Sequence, residues 1–238
     1  MKKIILLFSF LLIITGCSSK KESLVMVTEA GFAPYEYYEN NKIVGVDVEI
    51  AKEIAQKLKR KLVIKDVAFD SIINELNAGK ASFAAAGLSV TEERKEKVDF
   101  SVEYSTSKQV IVIRKDSLIK SSEDLENKKI TCQLGTVADL YLSDHYKEEN
   151  ISRHKKFLSA AQDIKTKKAD ALIMDYFPAK ELIKENKELK MLDKELFSDT
   201  YAIAVKKGNK ELLKTINEVL DELLAANKID EYVIKHTK

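Results

Sequence analysis

"KLVIKDVAFDSIINELNAGKASFAAAGLSVTEER", residues 61–94, holds a strand, a helix and a second strand in succession. "KLVIKDVA" is rich in β-branched residues and reads as a strand. "DSIINELNAG" reads as a short helix, with Asp70 placed to cap it and Gly79 placed to end it. "ASFAAAGLS" reads as the next strand, ending at Gly87. A strand, a crossing helix and a strand form the unit of a parallel sheet with helices on its faces. Just past Gly87 the small apolar residues give way to Ser89, Thr91, two glutamates and Arg94.

The same alternation extends outward. Upstream, "SLVMVTE" (23–29) reads as a strand and is followed by the loop "AGFAPYEYYENNK". "GVDVEIAKEIAQKLKR" then places Ile50, Ala51, Ile54, Ala55 and Leu58 on one face of a helix. Downstream, "QVIVIRK" (109–115) is a strand, and the order begins again. Strand "KKITCQL", helices from Thr136 and from Ser159, strand "ADALIMD" and helix "PAKELIKEN" make a second unit. Strand "TYAIAVKK" and the long helix "KELLKTINEVLDELLAANK" remain, and such a remainder packs back on the first unit. The chain would then cross between units near 104–109 and near 199–203. In open α/β sheets ligands lie beyond the carboxyl ends of the strands. Gly87, Gly135-Thr136 and Asp175 all stand at such ends.

The first residues are not part of this pattern. Lys2 and Lys3 precede an apolar run, Ile4 to Ile14, too short to span a bilayer as a stable helix. It reads as an export signal. Ile14-Thr15-Gly16-Cys17 resembles the bacterial lipobox, which implies a diacylglycerol on Cys17 and a polar tether through Ser23. Without Lys2 and Lys3 the 40 basic residues balance the 38 acidic ones, so no basic field for nucleic acid remains. Cys132 then has no partner and reads as a small buried hydrophobe. His145, His154 and His236 lie in lysine-rich contexts that suggest no metal set, and no glycine-rich phosphate loop is present. No cofactor is expected. "RHKKF" (153–157) reads as solvated surface.

Five stretches carry a family resemblance: "APYEYYENNKIVGVDVEIAKEIAQKL", "FDSIINELNAGKASFAAAGLSVTEERKEKVDFS", "LGTVADLY", "ADALIMD" and "YAIAVKKGNKELLKTINEVLDEL". In this order they resemble the bacterial extracellular solute-binding proteins of family 3, the polar amino acid-binding lipoproteins of ABC importers. The resemblance implies an α/β, two-lobed periplasmic-binding-protein fold of type II, each lobe a mainly parallel sheet flanked by helices, joined by two hinge strands. Residues 1–16 would be the signal peptide and 17–23 the lipidated tether. Residues 24–105 with 202–238 would form lobe 1, and 106–201 lobe 2. Ala202 stands where glycine is usual in the second hinge region.

The resemblance also assigns a site. Arg94 offers a fork of N–H donors that fits a carboxylate, and the family's arginine holds the ligand α-carboxylate. The residues alone equally allow a salt bridge from Arg94 to Glu92, Glu93 or Glu96. Ser89-x-x-Glu92 is a capping box, with Thr91 an alternative cap, and the family places Ser89 and the Gly87 carbonyl at the ligand. Thr136-x-x-Asp139 is another capping box, and Thr136 would cap a helix and bind a carboxylate. Val137 offers an amide but not the hydroxyl many members have. Asp175 could cap the following helix; in the family it pairs with the α-ammonium. Phe32 and Phe69, core residues on pattern alone, become walls around the ligand side chain, while Tyr35 reads as loop packing. Glu29 and Gln133 would meet that side chain's end, which favours a basic amino acid, with glutamine next.

The expected function is high-affinity binding of a polar L-amino acid outside the cytoplasm and delivery to an ABC importer. The protein would be a monomer anchored by Cys17, facing outward or into the periplasm, with no catalytic residues. Two alternatives use the same fold: a cyclohexadienyl dehydratase-like enzyme with Glu29 or Asp175 as general acid, and a ligand-binding partner of a membrane sensor.

Overall fold

A computed structural model describes residues 23–237. In chain order it contains β1 (Leu24–Thr28), β2 (Tyr37–Glu39), β3 (Lys42–Val44), α1 (Val46–Leu58), β4 (Leu62–Asp66), α2 (Ile72–Asn77), β5 (Phe83–Ala84), α3 (Glu92–Lys97) and β6 (Val98–Arg114). It continues with β7 (Ile130–Gln133), α4 (Val137–His145), β8 (Ile151–His154), α5 (Phe157–Lys165), β9 (Ala171–Asp175), α6 (Tyr176–Glu185), β10 (Leu189–Met191), β11 (Phe197–Lys206), α7 (Lys210–Ala225) and α8 (Lys228–His236). The signal segment and Cys17 lie outside the described residues.

The main sheet runs β4-β1-β5-β11-β6-β9-β7-β8, with β10 also on β6. β1 is parallel to β4 and β5, and β7 is parallel to β8 and β9. Each parallel set has helices on both faces, so its inner strands β1 and β9 are apolar on both sides, while the edge strands β4 and β8 carry polar residues. Along β1, Leu24 and Met26 face the layer holding Ile50 and Ile54 of α1 and Ile216 and Leu220 of α7. Val27 faces Ile72 and Leu76 of α2 instead. In the second lobe the period of two recurs on β6. Val110 and Val112 pack with Phe157 and Ile164 of α5, whereas Ile111 and Ile113 pack with Cys132 and Leu142.

β6 and β11 run through both lobes. They pair antiparallel from Phe197↔Gln109 to Lys206↔Val98, with register shifts on either side of Ala202. Such shifts bend a ladder and raise its twist, so the two lobes meet at an angle across this pair.

Several elements differ from the sequence reading. β5 stops at Ala84, because the chain turns at Gly87 (φ 50°) and then bonds β11 through Ala202 N–H to the Leu88 carbonyl and Val90 N–H to the Thr200 carbonyl. Asp70 does not cap α2. It sits inside a one-turn 3₁₀ segment, Phe69–Ser71, and α2 starts without a side-chain cap. α3 is capped by Thr91, whose hydroxyl accepts from Arg94 N–H, and not by Ser89. α5 begins at Phe157, ahead of Ser159. α6 begins at Tyr176, with Pro178 in its first turn, where the missing N–H has no helical partner to lose.

Candidate functional site

The cleft between the lobes is built from strand ends. From the first lobe come Glu29 after β1, Phe32 and Glu36 from the loop, Phe69, and Ala86, Gly87 and Ser89 after β5. Gln133, Thr136, Val137 and Asp175 face them from the second lobe, and together these residues line one cavity. The walls stand close. The room left, measured at the centre of a water-sized sphere, is about 10 Å³, enough for one water.

Arg94 is the candidate that does not line this cavity. Its guanidinium lies behind Ser89 and Phe69, with Cζ 5.4 Å from the Phe69 ring centroid. One Nη donates to the Ser89 carbonyl at 2.6 Å, and the other reaches across to the Gly135 carbonyl of the second lobe at 2.9 Å. Its neighbours do not neutralise it: Glu92 pairs with Lys95 and Glu93 with Lys97. Arg94 is thus a buried cation, 6% exposed, held by carbonyls alone. Burial pulls its pKa down to about 10, which still leaves it charged at neutral pH.

Asp175 is the opposite charge across the cleft. It occupies the N-cap position of α6 yet makes no cap bond. Its Oδ1 instead accepts from Ser107 Oγ and Gln109 Nε2, both at 2.7 Å, and from the Tyr201 hydroxyl. All three donors are neutral. Burial first, and then the charge of Asp199, push the Asp175 carboxyl well above the ordinary aspartate range. Asp199 is half-buried, but both its carboxylate oxygens are out of solvent without a hydrogen bond, as is Gln109 Oε1. Two carboxyl groups thus share this wall, with the Arg94 charge near enough to act on Asp199.

Thr136 caps α4, accepting from Asp139 N–H at 3.3 Å while its hydroxyl donates to the Gln133 carbonyl at 2.8 Å. Gly87 N–H donates to Asp47 Oδ2 at 2.9 Å, and the Tyr104 hydroxyl holds the other oxygen at 2.7 Å. Burial nevertheless raises Asp47 to about 6. Glu36 stands beside it, raised well above its usual range by burial and by Asp47. Tyr35 is a fully buried anchor of the loop, stacked edge-on against Tyr201 at 5.0 Å.

At the far end Glu29 is 2% exposed. Gln133 Nε2 donates to its Oε2 at 3.2 Å, and Lys156 Nζ stands 3.1 Å from its Oε1. "RHKKF" is therefore not merely solvated surface. Lys156, half-exposed, reaches across to Glu29 and Asp66 of the first lobe, and Arg153 bonds Asp139 and Glu148.

This cleft lies in a chain with close relatives among known proteins. A match to the bacterial extracellular solute-binding proteins, family 3, spans residues 24–238. The chain belongs to this family. The arginine-binding extracellular protein ArtP of Bacillus subtilis (strain 168) is 34% identical over 215 residues, which cover 88% of this chain and 84% of that one. Among solved structures, holo ArgBP from T. maritima is 39% identical with a TM-score of 0.81, covering 84% of this chain and 90% of its own. An ancestral arginine-binding protein bound to glutamine is 36% identical with a TM-score of 0.85, covering 90% and 97%. The fold is that of the type II periplasmic binding proteins. Residues 1–18 match the prokaryotic membrane lipoprotein lipid attachment site, so this solute-binding protein is exported and lipid-anchored.

Four residues that sequence reasoning passed over shape the cleft of this family member: Glu36, Ser107, Lys156 and Asp199. Glu36 sits inside the quoted "APYEYY" stretch, and Asp199 two residues before the conspicuous Tyr201. Their placement depends on contacts between segments distant in sequence, which have no local signature.

Proposed function

We propose that this protein binds one polar L-amino acid, with a basic side chain favoured and glutamine next, and delivers it to an ABC importer. Cys17 carries the lipid that holds it to the membrane, and the ligand is released unchanged. One observation carries this reading. Asp175 on the cavity wall and Arg94 just behind the opposite wall are buried groups of opposite charge, and the hydrogen-bond partners of both are neutral. Unpaired buried charge is costly, and a zwitterion supplies both missing counter-ions at once. The carboxylate would take the guanidinium face that Gly135 O occupies, and the ammonium would pair with Asp175. Glu29, which lines the same cavity as Phe32 and Phe69, supports a long side chain ending in donors. The names of the similar proteins, which bind arginine or were solved with glutamine, point the same way. Of the two acids a dehydratase could use, Glu29 is held by Lys156 and Gln133; for Asp175, whose carboxyl is raised by burial, turnover is the test.

Thermal-shift screening of the mature protein against the twenty amino acids tests this reading. A ligand at 100 times its Kd stabilises by about 2.7 kcal/mol. We expect arginine, lysine, histidine or glutamine to give the largest shifts. Shifts from glutamate or small aliphatic amino acids alone, or conversion of prephenate or arogenate to an aromatic product, would overturn it.

A further inference from the structure

Lys156 belongs to the second lobe, between β8 and α5, yet its ammonium is bound by the first. Nζ lies 3.1 Å from Glu29 Oε1 and 3.0 Å from Asp66 Oδ1, with the Val67 carbonyl at 3.4 Å. Asp66 is fixed in turn by Ala30 N–H at 2.9 Å. Glu29 is thus the point where the lobes are tied twice, once by charge through Lys156 and once by the Gln133 amide. The aromatic pair Phe32–Phe157, 6.2 Å apart and edge-on, closes the same side.

This cluster has two carboxylates and one ammonium. Glu29 is also the acceptor that the far end of a ligand side chain would meet. A guanidinium or ammonium arriving there meets Lys156 as a like charge, whereas a neutral amide does not. Lys156 and a cationic side chain therefore compete for one buried carboxylate, and the outcome sets the selectivity of the site.

We propose that Lys156 is a specificity-determining latch. It holds the cleft shut by taking Glu29, and it limits how far the site prefers a basic side chain over an amide. The inference rests on the ligand reading above for its second half, and its first half stands on the interlobe geometry alone. Replacement by methionine keeps the aliphatic stem and removes the charge. Replacement by arginine keeps the charge.

The test uses the mature chain as wild type, Lys156→Met and Lys156→Arg. Calorimetry measures arginine and glutamine binding at one pH and salt concentration, and small-angle scattering measures the ligand-free radius of gyration. In Lys156→Met the ratio of arginine to glutamine affinity rises on the order of tenfold, as one like charge is removed at short range. The ligand-free protein also expands relative to wild type. Lys156→Arg stays close to wild type in both. A Lys156→Met protein with an unchanged affinity ratio, or with unchanged ligand-free scattering, overturns the proposal. Wild type that binds neither amino acid sinks the ligand reading and the selectivity half with it, while the scattering comparison still decides whether Lys156 holds the lobes together.

Discussion

Arg94 has two acceptors, and both are backbone carbonyls. Truncation to alanine removes no ion pair from the ligand-free protein, so the fold should survive with a modest loss of stability. The bound ligand would suffer far more, since its carboxylate would be buried without a partner. Breaking a buried pair from one side costs about 3–5 kcal/mol, roughly a hundred- to several-thousand-fold in affinity. Calorimetry on Arg94→Ala with the best ligand checks this; affinity within about tenfold of wild type would place the carboxylate elsewhere. Asp175 gives a pH-dependent counterpart. Its carboxyl is raised by burial and by Asp199, and a ligand ammonium pairs with the ionised form. Affinity is therefore full near pH 8, where the ligand ammonium is still protonated, and is lost as pH falls through the raised pKa, over about pH 8 to 5. Asp199→Asn removes the neighbouring charge, which lets Asp175 ionise more readily and moves the fall to lower pH. A profile that does not move in this variant would show that the two carboxyls do not interact.

Gly87 shows how an element boundary shapes the site. Its φ of 50° lies where L side chains are strained, and a Cβ would stand 2.9 Å from Phe32 Cε1 and 3.4 Å from Tyr201 Cε2. Gly87→Ala should lower stability by about 1 kcal/mol or more and displace Phe32, weakening ligand binding further. Thermal melts and calorimetry read the two effects; a variant as stable and as tight as wild type would mean that this turn tolerates a side chain. The same residue marks the limit of what the sequence reveals. "ASFAAAGLS" looks like one strand because small apolar residues suit both a strand and a buried turn, and only the pairing of Leu88 and Val90 with β11 separates them. α1 and β9 were legible because each buries residues at its own period, Ile50, Ala51, Ile54 and Ala55 on one helix face and a continuous apolar run in the strand. α8 escaped notice since Asn227, at φ 53°, breaks it from α7, and its apolar contacts reduce to Ile229, Tyr232 and Val233. The cleft was legible wherever a residue sits at a strand end, as Glu29, Gln133 and Asp175 do. It was illegible where a role needs two lobes at once, as for Lys156 and Asp199.

Opening and closure make the stability of the whole molecule depend on ligand and pH together. Buried carboxyls dominate its titration near neutrality: Asp47 is raised to about 6 by burial, and Glu36 and Asp175 are also raised. In the unfolded chain these groups ionise near pH 4. Between that value and their folded pKa the native state holds more protons, so their contribution is full below about pH 4 and is lost as pH rises through the folded values. Asp47 alone contributes a swing on the order of 3 kcal/mol. Glu49, desolvated yet lowered to about 2 by Lys235 and Lys52, bends the curve over at the acid end, and His236, lowered by burial, opposes part of the fall below about pH 6.5. The ligand-free protein should therefore melt several degrees higher near pH 5 than near pH 8. The ligand reverses the trend at one site, because its ammonium favours ionised Asp175 and binds best where that carboxyl is unprotonated. The melting-temperature increment from saturating arginine should grow from about pH 5 to about pH 8 while the ligand-free melting temperature falls. Scanning fluorimetry at matched ionic strength, with and without arginine, reads both curves. Two parallel curves would mean that no buried carboxyl changes its ionisation when the ligand binds, and the pairing of the ligand ammonium with Asp175 would have to be abandoned.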